Sequence, residues 1–485
     1  MLNLALSLLS AALLILTFPG FSFSFLAPVA LAPLLIAMAR EAKPLRRFLY
    51  GWVAGFVFWI GVCYWIETDL ARFGGVGPVA AWALEALFAV AKGLHLAVFA
   101  LIAGILMRRW WAVPAVAAWW VAVEVTHGSL GFAWLALGNA GIDMSVPLRL
   151  APITGVWGLS FVFMMMATAL ALAFLQRPRL HLLWLILLPF LVFLPPLPRA
   201  QRGEDAALLL QPNISESEEW TTDSVARMED HLADLTMRSV LVERAHPPSI
   251  VVWPEVPAPL YYDADPRFHE SMDRLARATG AYLLLGVVAH TADGRPLNSA
   301  QLLAPGGYPV SRYDKVNLVP FGEFVPWPFT LVVNKISTEA GDFAAGRQVV
   351  VSPVDNHRIG TFICYESVFP NFVRKFTAGG AEVLFNISND GWFGHSAARE
   401  QHLRIVRMRA AENRRWILRS TNDGVTATID SAGRVRGSLP LYQQATSYTG
   451  FSYIAEKTFY TRFGDWFAVL CAAVVAMCLV AERVV

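Results

Sequence analysis

Apolar runs long enough to cross a bilayer recur through the first two hundred residues and once more near the end. A crossing helix needs about 20 consecutive apolar residues. The runs Leu2–Thr17, Ser22–Met38, Phe48–Ile66, Pro78–Met107, Trp111–Val125, Pro152–Leu175 and His181–Leu197 predict seven spans, and Trp466–Ala481 predicts an eighth. The first two are short, and Phe18-Pro-Gly-Phe21 between them predicts a tight helical hairpin. The first run has no basic segment before it and more apolar helix directly after it, so it does not read as a cleavable leader.

From about Ala200 to Arg462 the texture changes, because charged residues become common and the long apolar runs stop. Short β-branched or apolar runs predict strands at Ala206–Leu210, Ser249–Trp253, Tyr282–Val288, Val349–Val351, Ile359–Cys364, Val383–Ile387, Trp416–Ser420 and Ala427–Ile429. Amphipathic stretches at Ser224–Ala245, Pro266–Thr279 and Arg399–Asn413 predict helices between them. Such alternation predicts sheets covered by helices. Asp430-Ser-Ala-Gly433 reads as a hairpin turn. The chain thus divides into a helical membrane domain over residues 1–199, an α/β domain over 200–462, and a last transmembrane helix over 463–485.

Composition agrees with a membrane protein: 56% of residues are hydrophobic and only 16% charged, less charge than a soluble domain carries. The net charge of +2 comes with no basic run, so nothing points to nucleic acid. Four cysteines without paired spacing exclude a disulfide framework or a cysteine zinc site. The basic residues assign sidedness. Arg40, Lys43, Arg46 and Arg47, then Arg108 and Arg109, then Arg177 and Arg179 fall in loops after spans two, four and six. Those loops share one side, which the positive-inside rule makes cytoplasmic. Both termini then lie in the cytoplasm and the α/β domain lies outside it. Glu85, Lys92, His95, Glu124 and His127 fall within or at the ends of spans, where ionisable groups are costly. Glu85 and Lys92 share a helix face and read as a structural polar pair.

Three short stretches of the polar segment carry chemistry. In Ser249-Ile-Val-Val-Trp-Pro-Glu255 a strand delivers a carboxylate just past a proline that ends the ladder. Such a carboxylate serves as a general base or as a plain salt-bridge partner. In Tyr313-Asp-Lys-Val-Asn-Leu-Val-Pro-Phe-Gly-Glu323, Lys315 and Glu323 sit among apolar and turn residues, where a lysine can stabilise an oxyanion or a thiolate. In Gly360-Thr-Phe-Ile-Cys-Tyr-Glu366, Cys364 follows a strand and is the one cysteine outside the apolar segments. It is either a nucleophile or a small buried hydrophobe.

Together, Trp253-Pro-Glu255, Lys315-Val-Asn-Leu-Val-Pro-Phe-Gly-Glu323 and Cys364-Tyr-Glu366 resemble the nitrilase superfamily. More narrowly they resemble its membrane-embedded branch, the apolipoprotein N-acyltransferases. Asn386-Ile-Ser-Asn-Asp-Gly-Trp-Phe-Gly394, Arg407-Met-Arg-Ala-Ala-Glu412 and Arg419-Ser-Thr-Asn-Asp-Gly424 extend the likeness. The resemblance implies a nitrilase-like αββα sandwich inserted before the last transmembrane helix. It implies Cys364 as nucleophile, Glu255 as general base and Lys315 as oxyanion stabiliser, with Glu323, Tyr365 and Glu366 around them. Trp220 falls where the family has a lid tryptophan, and Asn386, Trp392 and Phe393 are expected at the lid or substrate side. Gln211-Pro-Asn-Ile214 departs from the family's Gln-Gly-Asn-Ile at Pro212.

The implied reaction moves an acyl chain from a phosphatidylethanolamine-like phospholipid, through a thioester, to the α-amino group of a diacylated apolipoprotein. No cofactor and no metal are implied, and the enzyme would act as a monomer in the bacterial inner membrane with its catalytic domain in the periplasm. Phe324-Val-Pro-Trp-Pro-Phe-Thr-Leu-Val-Val333 and Trp392-Phe393 are candidate arms into the lipid, Trp392-Phe393 equally well ordinary core. A membrane-anchored amidase would share the triad without needing the spans. A non-catalytic transporter or scaffold would rest on Glu85, Lys92 and His95.

Overall fold

The computed structural model describes residues 1–72, 77–129, 132–200, 203–243, 245–325 and 343–484. Pro44–Cys63, Pro78–Leu106 and Val156–Phe174 are long and apolar enough to cross a membrane. Shorter apolar helical stretches cover Leu2–Thr17, Ala112–Glu124 and Trp466–Val480. The hairpin at Phe18 closes as expected: Ser22 N–H donates to Phe18 O (2.8 Å) and Gly20 takes φ +115°, a conformation glycine adopts without a Cβ clash.

Two predicted spans differ. Ser22–Met38 becomes a 3₁₀ turn followed by a nine-residue helix, Ala32–Arg40. At 1.5 Å per residue that helix is far shorter than a bilayer, and Pro28 and Pro33 prevent continuous winding. His181–Leu197 becomes two 3₁₀ stretches, Arg179–Leu187 and Pro189–Phe193, divided by Pro189 and followed by Pro195-Pro196. Glu85 and Lys92 also do not pair. Seven residues are about 10 Å of helix rise, beyond ion-pair reach. Lys92 instead donates to Phe132 O (2.8 Å) and meets His127 Nδ1 (2.5 Å), and the His127 ring stacks on His95.

The polar segment folds as two facing six-stranded sheets. The first contains β1 (Asp205–Gln211), β2 (Ile250–Val252), β3 (Tyr282–His290), β4 (Pro296–Leu303) and β5 (Pro309–Asp314). The second contains β6 (Val351–Val354), β7 (His357–Ile363), β8 (Val383–Ser388), β9 (Ile417–Thr421), β10 (Ala427–Ile429) and β11 (Val435–Ser438). The last strand, β12 (Ala445–Phe451), returns antiparallel to β1 and closes the edge of the first sheet. Strand order is β12-β1-β2-β3-β4-β5 and β11-β10-β9-β8-β7-β6.

Period-two burial builds the layers. Leu208, Leu210, Val251, Trp253, Leu283 and Leu285 face the helices Thr222–Val242 and Pro266–Thr279. Ala207, Leu209, Ile250, Val252 and Leu284 face the second sheet. Ser420 Oγ on β9 donates to Leu210 O on β1 (2.7 Å), which ties the two inner faces. β4, β5, β11 and β12 escaped the sequence reading because they are polar or small-residue runs such as Pro-Leu-Asn-Ser-Ala-Gln. Partners with stronger patterns recruit them, so β4 pairs with β3 along its length. The turn at Gly433 (φ +77°) forms as predicted between β10 and β11.

One helix, Ala398–Asn413, joins the sandwich to the membrane helices. It is polar all round yet buried on nearly every side. A polar helix can be buried only if each group finds a partner. Gln401 accepts from Trp134 Nε1 (2.7 Å) and donates to Pro19 O and Val62 O. Glu412 accepts from Val156 N–H (2.9 Å), at the start of a membrane helix. The sandwich is therefore bonded to the helical half through side chains that the amphipathic pattern alone would place in water.

Candidate active site

Glu255, Lys315 and Cys364 all lie just past the C-terminal ends of their strands, β2, β5 and β7. Open sheets present their binding crevices at that edge. Glu255 reaches it because Pro254 ends β2 and the turn presses onto β3 at Gly286. A Cβ there would lie 2.1 Å from Pro254 O, so only glycine fits. Lys315 is held by its own N–H donating to Asn298 O (2.8 Å). Cys364 follows β7 at φ +50°, a left-handed conformation that costs an L residue roughly 1–2 kcal/mol.

The strands bring Lys315 and both carboxylates together. Lys315 Nζ lies 2.9 Å from Glu255 Oε1 and 3.0 Å from Glu323, with the lysine only 1% exposed. Asn298, which reads in the sequence only as a packing variation, donates from Nδ2 to Glu255 (2.7 Å) and to Glu323 (2.8 Å). The remaining oxygens accept from backbone, Glu255 from Asn389 N–H (2.8 Å) and Glu323 from Val319 N–H (2.8 Å). Two carboxylates and one ammonium are thus buried as a fully bonded set, the condition under which buried charge is tolerated. Asn298 could have been found only through the pairing of β4 with β3 and β5, which the sequence did not reveal.

The electrostatics follow from this arrangement. Burial alone drives the Lys315 ammonium down, but Glu255 and Glu323 overcome it and hold it well above its ordinary value. Burial pushes the Cys364 thiol up, the Glu255 charge pushes it further, and Lys315 pulls it back; the net direction is upward. The resting sulfur is therefore a thiol that feels the opposed charges of Glu255 and Lys315.

Glu366 positions the other parts. It accepts from Ile363 N–H (2.8 Å), Tyr313 O–H (2.6 Å), Val316 N–H (2.7 Å) and Asn317 N–H (3.1 Å), so one carboxylate grips both the Cys364 turn and the Lys315 loop. Burial pushes it up to about 7 against the pull of those donors. The Tyr365 ring packs edge-on against Phe369.

The expected lid and substrate residues are dispersed. Asn386 is fully buried in β8, where it donates to Phe362 O (3.2 Å) and accepts from Arg419. Trp220 is half-buried against the apolar layer outside the first sheet. Phe393, half-buried, packs among Trp65, Trp134 and His402 at the junction with the membrane helices. Trp392 beside it is half-buried. Of the candidate arm Phe324–Val333, the part from 326 on lies outside the described residues.

A strand-end cysteine with a buried Glu–Lys pair on a double sheet, joined to apolar helices, defines a membrane-associated member of the carbon–nitrogen hydrolase class. Residues 211–459 match the carbon-nitrogen hydrolase family, and residues 10–169 match the apolipoprotein N-acyltransferase N-terminal domain. The apolipoprotein N-acyltransferase of Geobacter metallireducens is 33% identical, over 96% of this chain and 92% of its own. That of Methylococcus capsulatus is 32% identical, over 99% and 96%. Among solved structures, an amidase from Nesterenkonia sp. aligns at 17% identity with a TM-score of 0.40, over 54% of this chain and 94% of its own. The chain belongs to the apolipoprotein N-acyltransferase family.

Proposed function

We propose that this protein transfers an acyl chain from a phospholipid to the α-amino group of a diacylglyceryl-cysteine at the N-terminus of an apolipoprotein. The observation that carries this reading is the buried Glu255–Lys315–Glu323 set beside a strand-end thiol, in a chain whose helices suit a bilayer. Glu255 takes the Cys364 proton as the sulfur attacks the acyl ester of a phosphatidylethanolamine-like donor. The tetrahedral oxyanion forms against Lys315 and the Tyr365 N–H, and collapses as Glu255 hands the proton to the departing oxygen, so that a lysophospholipid leaves and Glu255 is a carboxylate again. The acceptor amine then attacks the thioester, gives a proton to Glu255, and releases the sulfur.

Both substrates are lipids, and each buried methylene holds them to the bilayer by about 0.8 kcal/mol. That is why the chemistry is joined to membrane helices. Intact-mass analysis after incubation with phosphatidylethanolamine tests the reading. One acyl chain should add to the native protein, map to Cys364, and be discharged by a diacylated lipopeptide. An adduct that survives in Cys364→Ala, or none on the native protein, would sink it. A small-substrate amidase would form no acyl adduct from phospholipid.

With the apolar stretches leading to Arg40 and from Arg179 to Phe193 crossing as broken segments, the basic loops also support a topology with residues 200–462 in the periplasm, an inner-membrane location and both termini in the cytoplasm. In sealed inner-membrane vesicles of inverted orientation, external protease should spare residues 200–462 and remove a C-terminal tag. Digestion of the catalytic domain would reverse the assignment.

A further inference from the structure

We propose that His402 is a positioning residue for the nucleophile: its Nε2–H holds the Cys364 carbonyl and so keeps the left-handed turn that presents the sulfur. This rests on the reading of Cys364 as the nucleophile given above.

The turn at Cys364 occupies a region that residues with a Cβ seldom adopt, so something outside the turn must fix it. Glu366 fixes the N–H side through Ile363. The carbonyl side is met by His402 Nε2, 3.1 Å from Cys364 O and 2.9 Å from Ser367 Oγ. His402 is itself clamped. Burial and the Arg419 charge hold the imidazole below its ordinary value, so it carries one proton. Its Nδ1 accepts from Arg419 Nη2 (3.2 Å) and lies 3.0 Å from Asp390 Oδ1, which leaves that proton on Nε2, while Asp390 accepts from Arg419 Nη2 (2.6 Å) and Ser388 Oγ (2.8 Å). Arg419 also donates to Asn386. His402, Asp390, Arg419 and Asn386 are all fully buried, and the rings of Trp134 and Phe393 pack on the imidazole. A buried, fully clamped imidazole has one place to hold the backbone, and that place is the nucleophile's own carbonyl. Burial opposes the Asp390 charge, yet Arg419 holds that carboxyl well below the ordinary carboxylate range, so the Asp390–Arg419 pair stays ionic. Gln401, the adjacent residue, is the one bonded to Pro19, Val62 and Trp134. The same helix turn therefore anchors both the membrane helices and the catalytic turn.

The test compares native protein with His402→Gln, His402→Asn and His402→Leu in detergent. Glutamine keeps an N–H donor near the Nε2 position, whereas asparagine keeps one only near Nδ1. Two rates are read: alkylation of Cys364 by iodoacetamide, followed on its peptide, and thioester formation from phosphatidylethanolamine. Misplacing a reacting atom by about 1 Å costs about 10²-fold. His402→Leu and His402→Asn should lose about that in the maximal acylation rate, with KM changed less than about twofold, and should alkylate more slowly. His402→Gln should recover to within about fivefold of native. A folded leucine variant that acylates and alkylates like native would overturn the proposal. So would equal losses in the glutamine and asparagine variants, a contrast that decides the matter even if leucine prevents folding. Iodoacetamide needs no lipid, so its rates decide the role of His402 even if phosphatidylethanolamine proves to be the wrong donor.

Discussion

Lys315→Met should abolish acyl transfer and also weaken the fold. The ammonium is the only cation bonded to Glu255 and Glu323 among the described residues. Without it two carboxylates face each other in the interior, and breaking a buried ion set by removing one partner costs about 3–5 kcal/mol. For a domain of this size that lowers the melting temperature by roughly 6–20 °C. Losing one oxyanion donor separately costs about 10²–10³ in rate. The two effects can be parted. Lys315→Met combined with Glu323→Gln removes a cation and an anion together, so thermal stability should largely return while thioester formation stays at least about 10²-fold below native. If the double variant regained activity along with stability, Lys315 would be a structural ion and not a participant in the reaction.

The reach of the sequence depended on the kind of signal. Trp253-Pro-Glu255 was legible because a strand pattern and a chain-breaking proline fix where the side chain emerges, and Cys364-Tyr-Glu366 because it directly follows a strand pattern. The helix Pro266–Thr279 was legible because Asp265 caps it, accepting from Arg267 and Phe268 N–H, and Gly280 ends it. Asn298 and β4 were not, since a strand recruited by its neighbours needs little hydrophobic alternation of its own. His402 lies on a helix whose polar residues looked solvated and are instead buried and bonded. The short helix Ala32–Arg40 and the 3₁₀ stretches from Arg179 show a further limit. Hydropathy finds apolar segments, whereas prolines decide whether they wind as continuous helix.

These misses share a physical origin. Amphipathic patterning assumes that polar groups go to water. Between the sandwich and the membrane helices they go to each other: Gln401 to Trp134, Glu412 to Val156, Arg404 to Ser24. An interface of this kind is specified by pairs distant in sequence, and a single chain read in order does not display them.

Glu255→Gln should act on the sulfur in the opposite direction from Lys315→Met, and that opposition is the sharpest test of the assigned roles. The Glu255 charge raises the Cys364 pKa, whereas the Lys315 charge lowers it. Removing the carboxylate charge should move the midpoint of the iodoacetamide alkylation profile to lower pH; removing the ammonium should move it higher. Acyl transfer should nevertheless fall in both. A positioned base contributes about 10²–10⁴ in rate, and glutamine can neither take the thiol proton nor accept one from the attacking amine. The cost to the fold should be about 1–3 kcal/mol, because the glutamine oxygen can still accept from Asn298 and Lys315 keeps Glu323 as its counter-ion, while the amide nitrogen cannot accept from Asn389 N–H as the carboxylate does. A more ionised thiol in a folded enzyme that no longer acylates would identify Glu255 as the base. A rise in the alkylation midpoint would mean that the carboxylate does not bear on the sulfur. An acylation rate within tenfold of native would mean that another group carries the proton.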